Sequence, residues 1–580
     1  MPKIKGRIPR ESWHSRSAWA LVFLCLILLG VQTAKVHLFP DYRIVRQSER
    51  QYWAQVPVST SRGDIRDRND VPLAISVPSA SFYIDPQFWN PGSADVLAGY
   101  FGDQIARKFS GPLQGRFHWV VRKVPADIAQ GLIDRRAPGL FTIRESNRMY
   151  PHGELASHVI GFCDIDDYGL SGVEREWNKV LYSPPQTRLF VRDAKGSLLD
   201  LIGSNAGALQ VGAGSIKLTL DSKIQQVMEW KLKEGAVATG SKWGVGICVN
   251  PRTGEILAMA SYPWIDLNDR KSFSNKEMLR NSAIGRVYEP GSTFKPIMIG
   301  IAREMGLASY GEKFYCRGRV SIADGIIRDV SSHGELDLAG LLIKSCNTGM
   351  AAIGQRMSPH KTYGMLRQFG FGQRSDVEIA GEEEGLLRSP EEWLGMTKAN
   401  VAIGQGLAVT PLQLVMAMSS IANGGELLKP YIIAEVRNAT GRVIHQGRRR
   451  VRNAVLSPGT CEWIRTALNR TVEIGTGKGA RVEGVRLAGK TGTAQVATLG
   501  EYKKGRYASS FIGFWPHEDP EYAMLIVLGE PSGAKYYGGE IAAPVFKAIL
   551  EEMSQLKVIA KADASNPRNL RPGGHREGSE

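Results

Sequence analysis

A serine and a lysine stand three residues apart in YEPGSTFKP, residues 288–296, just ahead of the apolar stretch IMIGIAREM. If this segment opens a helix, Ser292 and Lys295 lie on one turn, with β-carbons about 5–6 Å apart. The amine could then remove the proton of the hydroxyl, because burial and the positive end of a helix dipole both lower the pKa of a lysine. Backbone N–H groups of the same turn could receive an oxyanion. The pair indicates a nucleophilic serine with a lysine base, although S-x-x-K alone more often marks an ordinary exposed helix.

A second motif, KSCNTG, places Ser345 and Asn347 two residues apart. On a helix such residues point in different directions, so both can face one site only if the segment is a loop between two helices. The Ser345 hydroxyl could relay a proton from Lys295, and the Asn347 amide could hold a peptide bond of a substrate. S-x-N is a very weak motif when it stands alone.

The third motif, GKTGT at residues 489–493, lies within a strand pattern. Lys490 supplies a cation and Thr491 a hydroxyl, and the two together suit a carboxylate. Gly492 removes the side chain where a ligand strand would approach the backbone. A phosphate loop would need G-x-x-x-x-G-K-[ST] opening a helix, whereas here the residues after Lys490 continue as strand. The motif therefore predicts a substrate-binding strand edge.

The elements that must position these residues follow from the hydrophobic pattern. Residues 36–215 mix short alternating runs with polar turns, which is typical of a β-rich region. From about residue 216, strands are followed by helices and then by strands again, which predicts one sheet built from both ends of the segment. The predicted strands are SIKLTLD, GVGICVNPRTGEILAMASYP, RLAGKTGTAQV, YASSFIGFWP and YAMLIVLGEP, and the predicted helices are 223–234, 292–305, 335–344, 348–357, 410–423 and 541–555.

The chain has 580 residues and a formal charge of +16, partly from its two ends. Nucleic-acid binding is not favoured, because the aromatic residues are scattered and no basic recognition motif is present. The densest basic run, GRRRVR at residues 447–452, is predicted to be a solvated hairpin edge.

Eighteen uncharged residues, 17–34, form a segment long enough to cross a bilayer as a helix. Five Lys or Arg residues precede it within residues 1–16, so the N-terminus is predicted to stay in the cytoplasm and the rest to be exported. A signal peptide is the alternative, but Gln32 makes a poor cleavage site before Ala34. We therefore expect an uncleaved anchor.

The six cysteines are too few for a disulfide framework in so long a chain, although one disulfide is possible. Neither their spacings nor the ten scattered histidines predict a metal site.

In this order, S-x-x-K, S-x-N and K-T-G resemble the signature of the penicillin-binding transpeptidase superfamily. Further blocks resemble class B, monofunctional penicillin-binding proteins over nearly the whole chain after the anchor. YPHGELASHVIGF and AKYYGGEIAAPVFKAIL are most similar to the division-specific septal enzyme rather than the elongation enzyme. Cys346 departs from the family pattern, which often has Ser or another small residue there, and its thiol could be sensitive to oxidation. The blocks are STSRGDIRDRNDVPLA (59–74), RMYPHGELASHVIGF (148–162), GLSGVEREWNKVL (169–181), RDAKGS (192–197), AIGQGLAVTPLQL (402–414) and IANGG (421–425).

The resemblance implies a D,D-transpeptidase reaction. Ser292 would attack the carbonyl between the two terminal D-alanines of a peptidoglycan stem peptide, and Lys295 would take its proton. Ser345 would pass that proton to the departing D-alanine, and an amine of a neighbouring stem would open the acyl-enzyme. β-Lactam antibiotics would form a long-lived adduct on Ser292. The other implied roles are Asn347 for the stem peptide, Lys490 and Thr491 for the terminal carboxylate, and the N–H groups of Ser292 and Thr493 for the oxyanion.

The resemblance also implies an α+β multidomain architecture. We expect a single-pass protein of the inner (cytoplasmic) membrane with a periplasmic catalytic domain, no cofactor, and a SEDS-type glycosyltransferase and other division proteins as partners. The acceptor amine, of diaminopimelate or of lysine, stays open. The predicted parts are a cytoplasmic tail (1–16), a transmembrane anchor (17–34), a β-rich pedestal or dimerisation domain (35–215), a transpeptidase domain whose sheet is flanked by helices with an all-helical subdomain (216–556), and a disordered tail (557–580).

Two other functions use the same residues. A β-lactamase would need a base for a deacylating water, and EEWLG at residues 391–395 has Gly395 where the E-x-x-L-N motif of class A enzymes has Asn, so we interpret it as a helix terminus. A non-catalytic β-lactam receptor or division scaffold is the other alternative, although such receptors usually have several membrane spans.

Overall fold

The computed structural model describes residues 13–38, 42, 53–58, 60–115, 117–184, 186–192, 198–199, 213–323, 325–498 and 501–556. The predicted disordered tail and most of the predicted cytoplasmic tail lie outside these residues, as does nearly all of the block at 192–197. The chain forms two compact units, Met1–Thr60 with Pro184–Gln210, and Ser61–Ser183 with Val211–Glu580. The predicted domain boundaries stay predictions.

The first unit contains the predicted anchor. A helix runs over Trp13–Leu38, and its part Arg16–Leu38 has a mean hydropathy of 2.0 and no buried residues. Within the described residues, this is the one helix long and apolar enough to cross a membrane. The unit also has a three-stranded antiparallel sheet of Trp53–Val58, Gln186–Arg192 and Leu198–Leu199.

In the second unit, a seven-stranded sheet joins residues before 184 to residues after 211. Its central strand is Pro72–Ile84, which pairs antiparallel with three neighbours, Ile65–Arg66, His118–Pro125 and Leu140–Met149. Helices Ala94–Phe101, Asp103–Phe109 and Ala126–Asp134 accompany these strands, so the predicted β-rich region also holds helices that its alternating runs did not indicate. The remaining strands of the sheet are Ser215–Leu218, Ile433–Arg437 and Val443–Gln446, and short helical turns follow at Ser157–Ile160, Gly172–Glu176 and Asn178–Leu181.

A buried ionic cluster joins three of the sequence blocks that carried the resemblance. Glu174 is fully buried and accepts hydrogen bonds from Arg62 Nε at 2.5 Å and from Arg148 Nε at 2.7 Å. Arg62 also donates to Asn178 Oδ1 at 2.8 Å, and Arg148 donates to the carbonyl of Gly63 at 2.8 Å. A buried carboxylate requires such partners, because an unpaired charge in the interior costs several kcal/mol.

A five-stranded antiparallel sheet forms the centre of the second unit. Its order is Ile256–Tyr262, Trp243–Val249, Tyr522–Gly529, Glu501–Trp515 and Ala488–Thr498. Strands from both ends of the segment therefore share one sheet, as the pattern predicted. Alternate residues enter two cores, and helices Ser222–Thr239 and Ala542–Gln555 pack in one of them. The last strand in the order, Ala488–Thr498, is an edge strand that carries the third motif.

The block between these strands is helical. Helices at Lys295–Glu304, Leu338–Ile343, Asn347–Arg356 and Pro411–Ala422 confirm the predicted positions within a few residues. Pro458–Ile474 was not predicted, although Ser457 caps it and Pro458 opens it, two signals that favour a helix start. The other helices are Ser282–Gly285, Pro359–Gln368 and Thr397–Ala402, and paired short strands occur at Lys313–Cys316 with Gly334–Asp337, Arg319–Ile322 with Gly325–Arg328, and Glu426–Leu428 with Val451–Ala454.

The basic run at 447–452 is solvated, but the predicted hairpin is wrong. Val443–Gln446 pairs with Ile433–Arg437, whereas Val451–Ala454 pairs with Glu426–Leu428. The two flanking strands thus belong to different sheets, and the basic residues connect them. All six cysteines lie in described residues and are free thiols.

Candidate active site

The first motif forms the sharp entry of a helix. Gly291–Phe294 is a turn of 3₁₀-helix, and the α-helix begins at Lys295. Gly291 has φ +55°, a conformation that costs glycine little, and Thr293 Oγ1 donates to the carbonyl of Pro290 at 2.7 Å. The predicted helix 292–305 therefore begins as a 3₁₀-helix and continues as an α-helix from Lys295. Within the described residues, the hydroxyl of half-buried Ser292 makes no hydrogen bond.

Lys295 is fully buried and reaches the second motif directly. Its Nζ donates to the carbonyl of Ser345 at 2.6 Å and to Asn347 Oδ1 at 2.7 Å, and it lies 3.3 Å from Ser345 Oγ. Burial lowers the pKa of Lys295 to about 8, although the Asp329 carboxylate acts in the opposite direction. An amine with this pKa is a usable base near neutral pH. Within the described residues no hydrogen bond joins the Ser292 hydroxyl to Nζ, and contacts of this kind are often loose before substrate binds.

The second motif is a loop between two helices, as predicted. Helix Leu338–Ile343 ends before it, Ser345 has φ +56°, and helix Asn347–Arg356 begins at its asparagine. Thr348 and Gly349, which the sequence placed at the junction, lie in the first turn of that second helix. This left-handed turn lets Ser345 and Asn347 face the same amine.

Asp329 holds this loop in place, although no sequence motif predicted its role. Its two carboxylate oxygens accept the N–H of Asn347 at 2.5 Å and that of Thr348 at 3.0 Å. Burial works to raise the pKa of Asp329, but these hydrogen bonds outweigh it and the pKa is lowered. The carbonyl of Arg328 accepts Asn347 Nδ2 at 2.8 Å, which fixes the amide orientation toward Lys295. No local pattern marks Asp329, because it acts on residues 18 and 19 positions away.

The third motif lies on the edge strand Ala488–Thr498, whose neighbour is Glu501–Trp515. Lys490 is fully buried, and its Nζ donates to the carbonyl of Thr491 at 3.1 Å. Burial, together with the charge of Lys295, holds the pKa of Lys490 well below its usual value. The two lysines are thus close enough for one charge to affect the other.

Close packing around Gly492 brings the edge strand against the 3₁₀ turn Gly291–Phe294. A β-carbon at Gly492 would lie 2.4 Å from Ser510 Oγ, 2.8 Å from Thr293 Cγ2 and 3.0 Å from the carbonyl of Pro290. Glycine is therefore required for this approach. Gly538 extends the contact, since its N–H donates to Thr493 Oγ1 at 2.9 Å.

Around the edge strand, Thr491 and Thr493 are already engaged by protein groups. Thr491 Oγ1 donates to Thr476 Oγ1 at 3.1 Å, and Thr493 Oγ1 accepts the Gly538 N–H. Thr476 and Gly538 have no motif of their own, although Gly538 lies in the AKYYGGEIAAPVFKAIL block.

EEWLG has structural roles. Pro390–Glu392 is a 3₁₀ turn in which Glu392 accepts the N–H of Ser389 at 3.0 Å. The side chain of Glu391 is 69% exposed and lies 4.0 Å from that of His360. The segment is a short helical turn, and within the described residues none of its side chains hydrogen-bonds to Lys295, Ser345 or Asn347.

The structure brings the predicted residues together on three elements. Lys295 contacts Ser345 and Asn347, and Gly492 packs beside Thr293, the residue after Ser292. A hydroxyl beside a buried amine of lowered pKa, next to a strand edge, is suited to acyl transfer through a serine ester. The substrate contacts and the oxyanion role of Ser292 and Thr493 stay predictions.

Comparison with known proteins adds two family matches. A family described as "Penicillin binding protein transpeptidase domain" matches residues 244–551. A second, described as "Penicillin-binding Protein dimerisation domain", matches residues 57–207.

Three similar proteins match nearly end to end. Stage V sporulation protein D of Bacillus subtilis is 30% identical over 558 residues, which cover 94% of this chain and 86% of that protein. Peptidoglycan D,D-transpeptidase FtsI of Escherichia coli is 30% identical over 557 residues, covering 93% and 91%. The structure of penicillin-binding protein 3 from Mycobacterium tuberculosis, complexed with aztreonam, has a TM-score of 0.67 and 27% identity, covering 87% of this chain and 98% of that one.

Proposed function

Because the chain belongs to the class B penicillin-binding protein transpeptidases, we propose that it is a peptidoglycan D,D-transpeptidase of septal cell-wall synthesis with Ser292 as its nucleophile. The family and the two-domain fold predicted from the sequence are confirmed. The observation that carries the residue assignment is the buried Lys295 amine, which lies one turn from Ser292 and contacts Ser345 and Asn347.

In this mechanism, Lys295 takes the proton of Ser292 as its oxygen attacks the carbonyl between the two terminal D-alanines. The C–N bond then breaks, the proton passes through Ser345 to the amine, and D-alanine leaves. An amine of a second stem peptide attacks the resulting ester, forms the new amide and releases Ser292 with its proton restored. The N–H groups of Ser292 and Thr493 would stabilise the oxyanion both when Ser292 is acylated and when the acceptor amine attacks the ester.

We propose that the second buried lysine, Lys490, binds the substrate. Burial and the charge of Lys295 lower the pKa of Lys490, so its protonated form is less stable than that of an exposed lysine. The terminal carboxylate of the donor would raise the pKa of Lys490 again, because an opposite charge at close range favours the protonated amine. Lys490 and Thr491 would then hold that carboxylate, while Asn347 holds the stem peptide.

Acylation by penicillin tests the nucleophile. Intact-mass measurement of the full-length protein in detergent should show one penicilloyl adduct, and peptide mapping should place it on Ser292. Ser292→Ala should abolish both the adduct and the cross-linking of stem peptides. Recovery of the adduct on another side chain would overturn the assignment. Release of the adduct within seconds would instead indicate a hydrolase, and growth supported by Ser292→Ala would indicate a scaffold.

The relatives and the apolar helix Arg16–Leu38 support a single-pass protein of the inner membrane. We propose the orientation predicted from the basic residues before the helix, with the catalytic domain outside the cytoplasm.

For partners we propose the SEDS-type glycosyltransferase together with other division proteins. An exposed aromatic patch on the strands of the predicted pedestal supports a contact there. Tyr83 stacks on Phe117 at 4.6 Å and on Phe141 at 5.4 Å, and Trp119 packs edge-on against Phe117 at 4.8 Å. Trp119 is 40% exposed and Phe117 46%, and exposed apolar side chains that lie together favour an interaction surface.

A further inference from the structure

Four metal-binding side chains meet beside the second motif, although the cysteine and histidine spacings predicted no metal site. Cys316 ends the strand Lys313–Cys316, and Asp329 directly follows the strand Gly325–Arg328. His333 precedes the next strand, and Cys346 is the N-cap of the helix that begins at Asn347. One ligand atom from each of the four lies within 4.8 Å of the others.

Three of the six distances between these atoms are those expected around a tetrahedral ion, and the other pairs lie within 4.8 Å. Cys316 Sγ lies 3.3 Å from Asp329 Oδ2 and 3.4 Å from His333 Nδ1, and Cys346 Sγ lies 3.4 Å from Asp329 Oδ2. Zinc bonds of about 2.0–2.3 Å in a tetrahedron put neighbouring ligand atoms about 3.3–3.8 Å apart. An ion at the centre would thus need only small side-chain movements.

We propose that Cys316, Asp329, His333 and Cys346 bind one Zn²⁺ ion. Two thiolates, an imidazole nitrogen and a carboxylate oxygen form a set that zinc prefers over Mg²⁺ or Ca²⁺, which favour oxygen ligands. Binding displaces one proton from each thiol. Three ligand charges and the dication then sum to −1, the charge that ionised Asp329 carries alone, so the field at Lys295 changes little.

The surroundings of the cluster fit a metal centre. The second ring nitrogen of His333 lies 3.4 Å from Ser331 Oγ, and the N–H of Gly349 donates to Cys346 Sγ at 3.4 Å. Ligands in metal sites are oriented by such outer hydrogen bonds. The carboxylate of Asp329 is oriented in the same way by its two backbone N–H donors.

A disulfide between the two thiols is the competing interpretation. Cys316 and Cys346 are 1% and 0% exposed, and the proposed orientation puts them outside the cytoplasm, where free thiol pairs tend to oxidise. A disulfide would leave His333 and Asp329 without a common role, whereas zinc uses all four side chains and protects the thiols. The observations therefore favour the metal.

Four protein ligands leave no open coordination position, which is typical of a structural ion. The ion would tie the two pairs of short strands between residues 313 and 337 to the start of the helix that carries Asn347. It would therefore help to position Ser345 and Asn347 against Lys295 without touching the substrate.

Cobalt titration tests the site through its spectrum. The full-length protein in detergent is reduced, treated with a chelator, and titrated with Co²⁺ alone. We expect saturation at one equivalent, with a thiolate-to-cobalt charge-transfer band and the strong visible bands of tetrahedral cobalt, both abolished by Zn²⁺. Absence of these bands while all six thiols are free would overturn the proposal. A Cys316–Cys346 disulfide in the protein as purified, found by peptide mapping, would also overturn it.

Variants identify the ligands. Cys316→Ser and His333→Ala should each weaken Co²⁺ binding by at least about 100-fold, because both remove a direct ligand. Cys461→Ser is the matched control, since Cys461 is another buried thiol, in helix Pro458–Ile474, and should keep one equivalent of metal and the full spectrum. An equal loss of Co²⁺ affinity in all three variants would contradict the assignment of the ligands. If a ligand variant fails to fold, the titration of the unaltered protein still decides.

Discussion

At the scale of single residues, the proposed chemistry depends on how completely Lys295 is buried. Water would keep its amine protonated at neutral pH, whereas its surroundings offer a carbonyl, an amide and a hydroxyl as hydrogen-bond partners. The Asp329 carboxylate acts against this effect but is oriented toward backbone N–H groups. The Lys295 amine thus becomes a usable base because burial excludes water, while protein groups still provide its hydrogen bonds.

The pKa of about 8 for Lys295 leads to a specific pH dependence. Only the neutral amine can accept the proton of Ser292, so the penicillin acylation rate should rise about tenfold per pH unit below pH 8 and level off above it. Stopped-flow measurement with a fluorescent penicillin between pH 6 and 9 checks this. Thermal unfolding across the same range serves as the control for stability. A flat rate between pH 6 and 8 would contradict Lys295 as the base.

Gly492→Ala should reduce acylation strongly while the protein remains folded. The added β-carbon would meet Ser510 Oγ and Thr293 Cγ2 and push the edge strand away from the turn that carries Ser292. We expect a loss of at least about tenfold in the acylation rate, since small displacements of catalytic groups cost up to about 100-fold. Gly459→Ala is the matched control, because a β-carbon at Gly459 meets nothing within 4 Å. Equal rates in both variants would show that the close contact has no catalytic role.

At the scale of elements, helix Ser222–Thr239 carries a buried carboxyl group that links it to the residues before 184. Glu229 Oε1 accepts the N–H of Ala156 at 2.9 Å and Gln225 Nε2 at 2.7 Å. Burial raises the pKa of Glu229 to about 8, and the nearby Glu154 carboxylate acts in the same direction. The folded protein therefore holds this proton where the unfolded chain releases it.

Stability should accordingly fall as pH rises. The contribution of the Glu229 proton is complete below about pH 4.5 and is lost as pH rises toward 8, with a maximum effect of about 3–5 kcal/mol. Glu229→Gln keeps a neutral side chain and should remove most of this decrease, which makes the variant the more stable protein at pH 8. Unfolding midpoints at pH 5 and pH 8 measure the difference. Glu234→Gln on the same helix, with a side chain 53% exposed, is the control that should leave the pH dependence unchanged.

At the scale of the whole molecule, the sequence predicted those parts of the site that local spacing determines. Ser292 and Lys295 share one turn, and Ser345 with Asn347 requires a loop between helices, so both arrangements followed from helix geometry. The same periodicity predicted the shared central sheet. It did not predict Asp329, whose partners are distant along the chain, or the four metal-binding side chains, which are spread over residues 316–346.

Two features were predicted incorrectly from the sequence for the same physical reason. The strands on either side of GRRRVR looked like a hairpin because neighbours in sequence usually pair, yet each pairs with a more distant strand. The short helices of the predicted pedestal were missed because alternating runs dominate its composition. In both cases the local sequence was compatible with more than one structure, and packing against distant residues determined which one forms.

The aromatic patch gives the prediction that concerns the molecule as part of an assembly. If the patch of Tyr83, Phe117, Trp119 and Phe141 contacts the proposed SEDS-type partner, Trp119→Asp should abolish copurification of that glycosyltransferase. The affinity falls because Asp places a charge where the complex would bury apolar surface. Penicillin acylation should stay unchanged, since none of the four aromatic residues belongs to the three motifs that carry the proposed reaction. Leu394→Asp, which charges another exposed apolar position, is the control. Retained copurification in the Trp119 variant, or equal loss in both, would place the partner elsewhere on the protein.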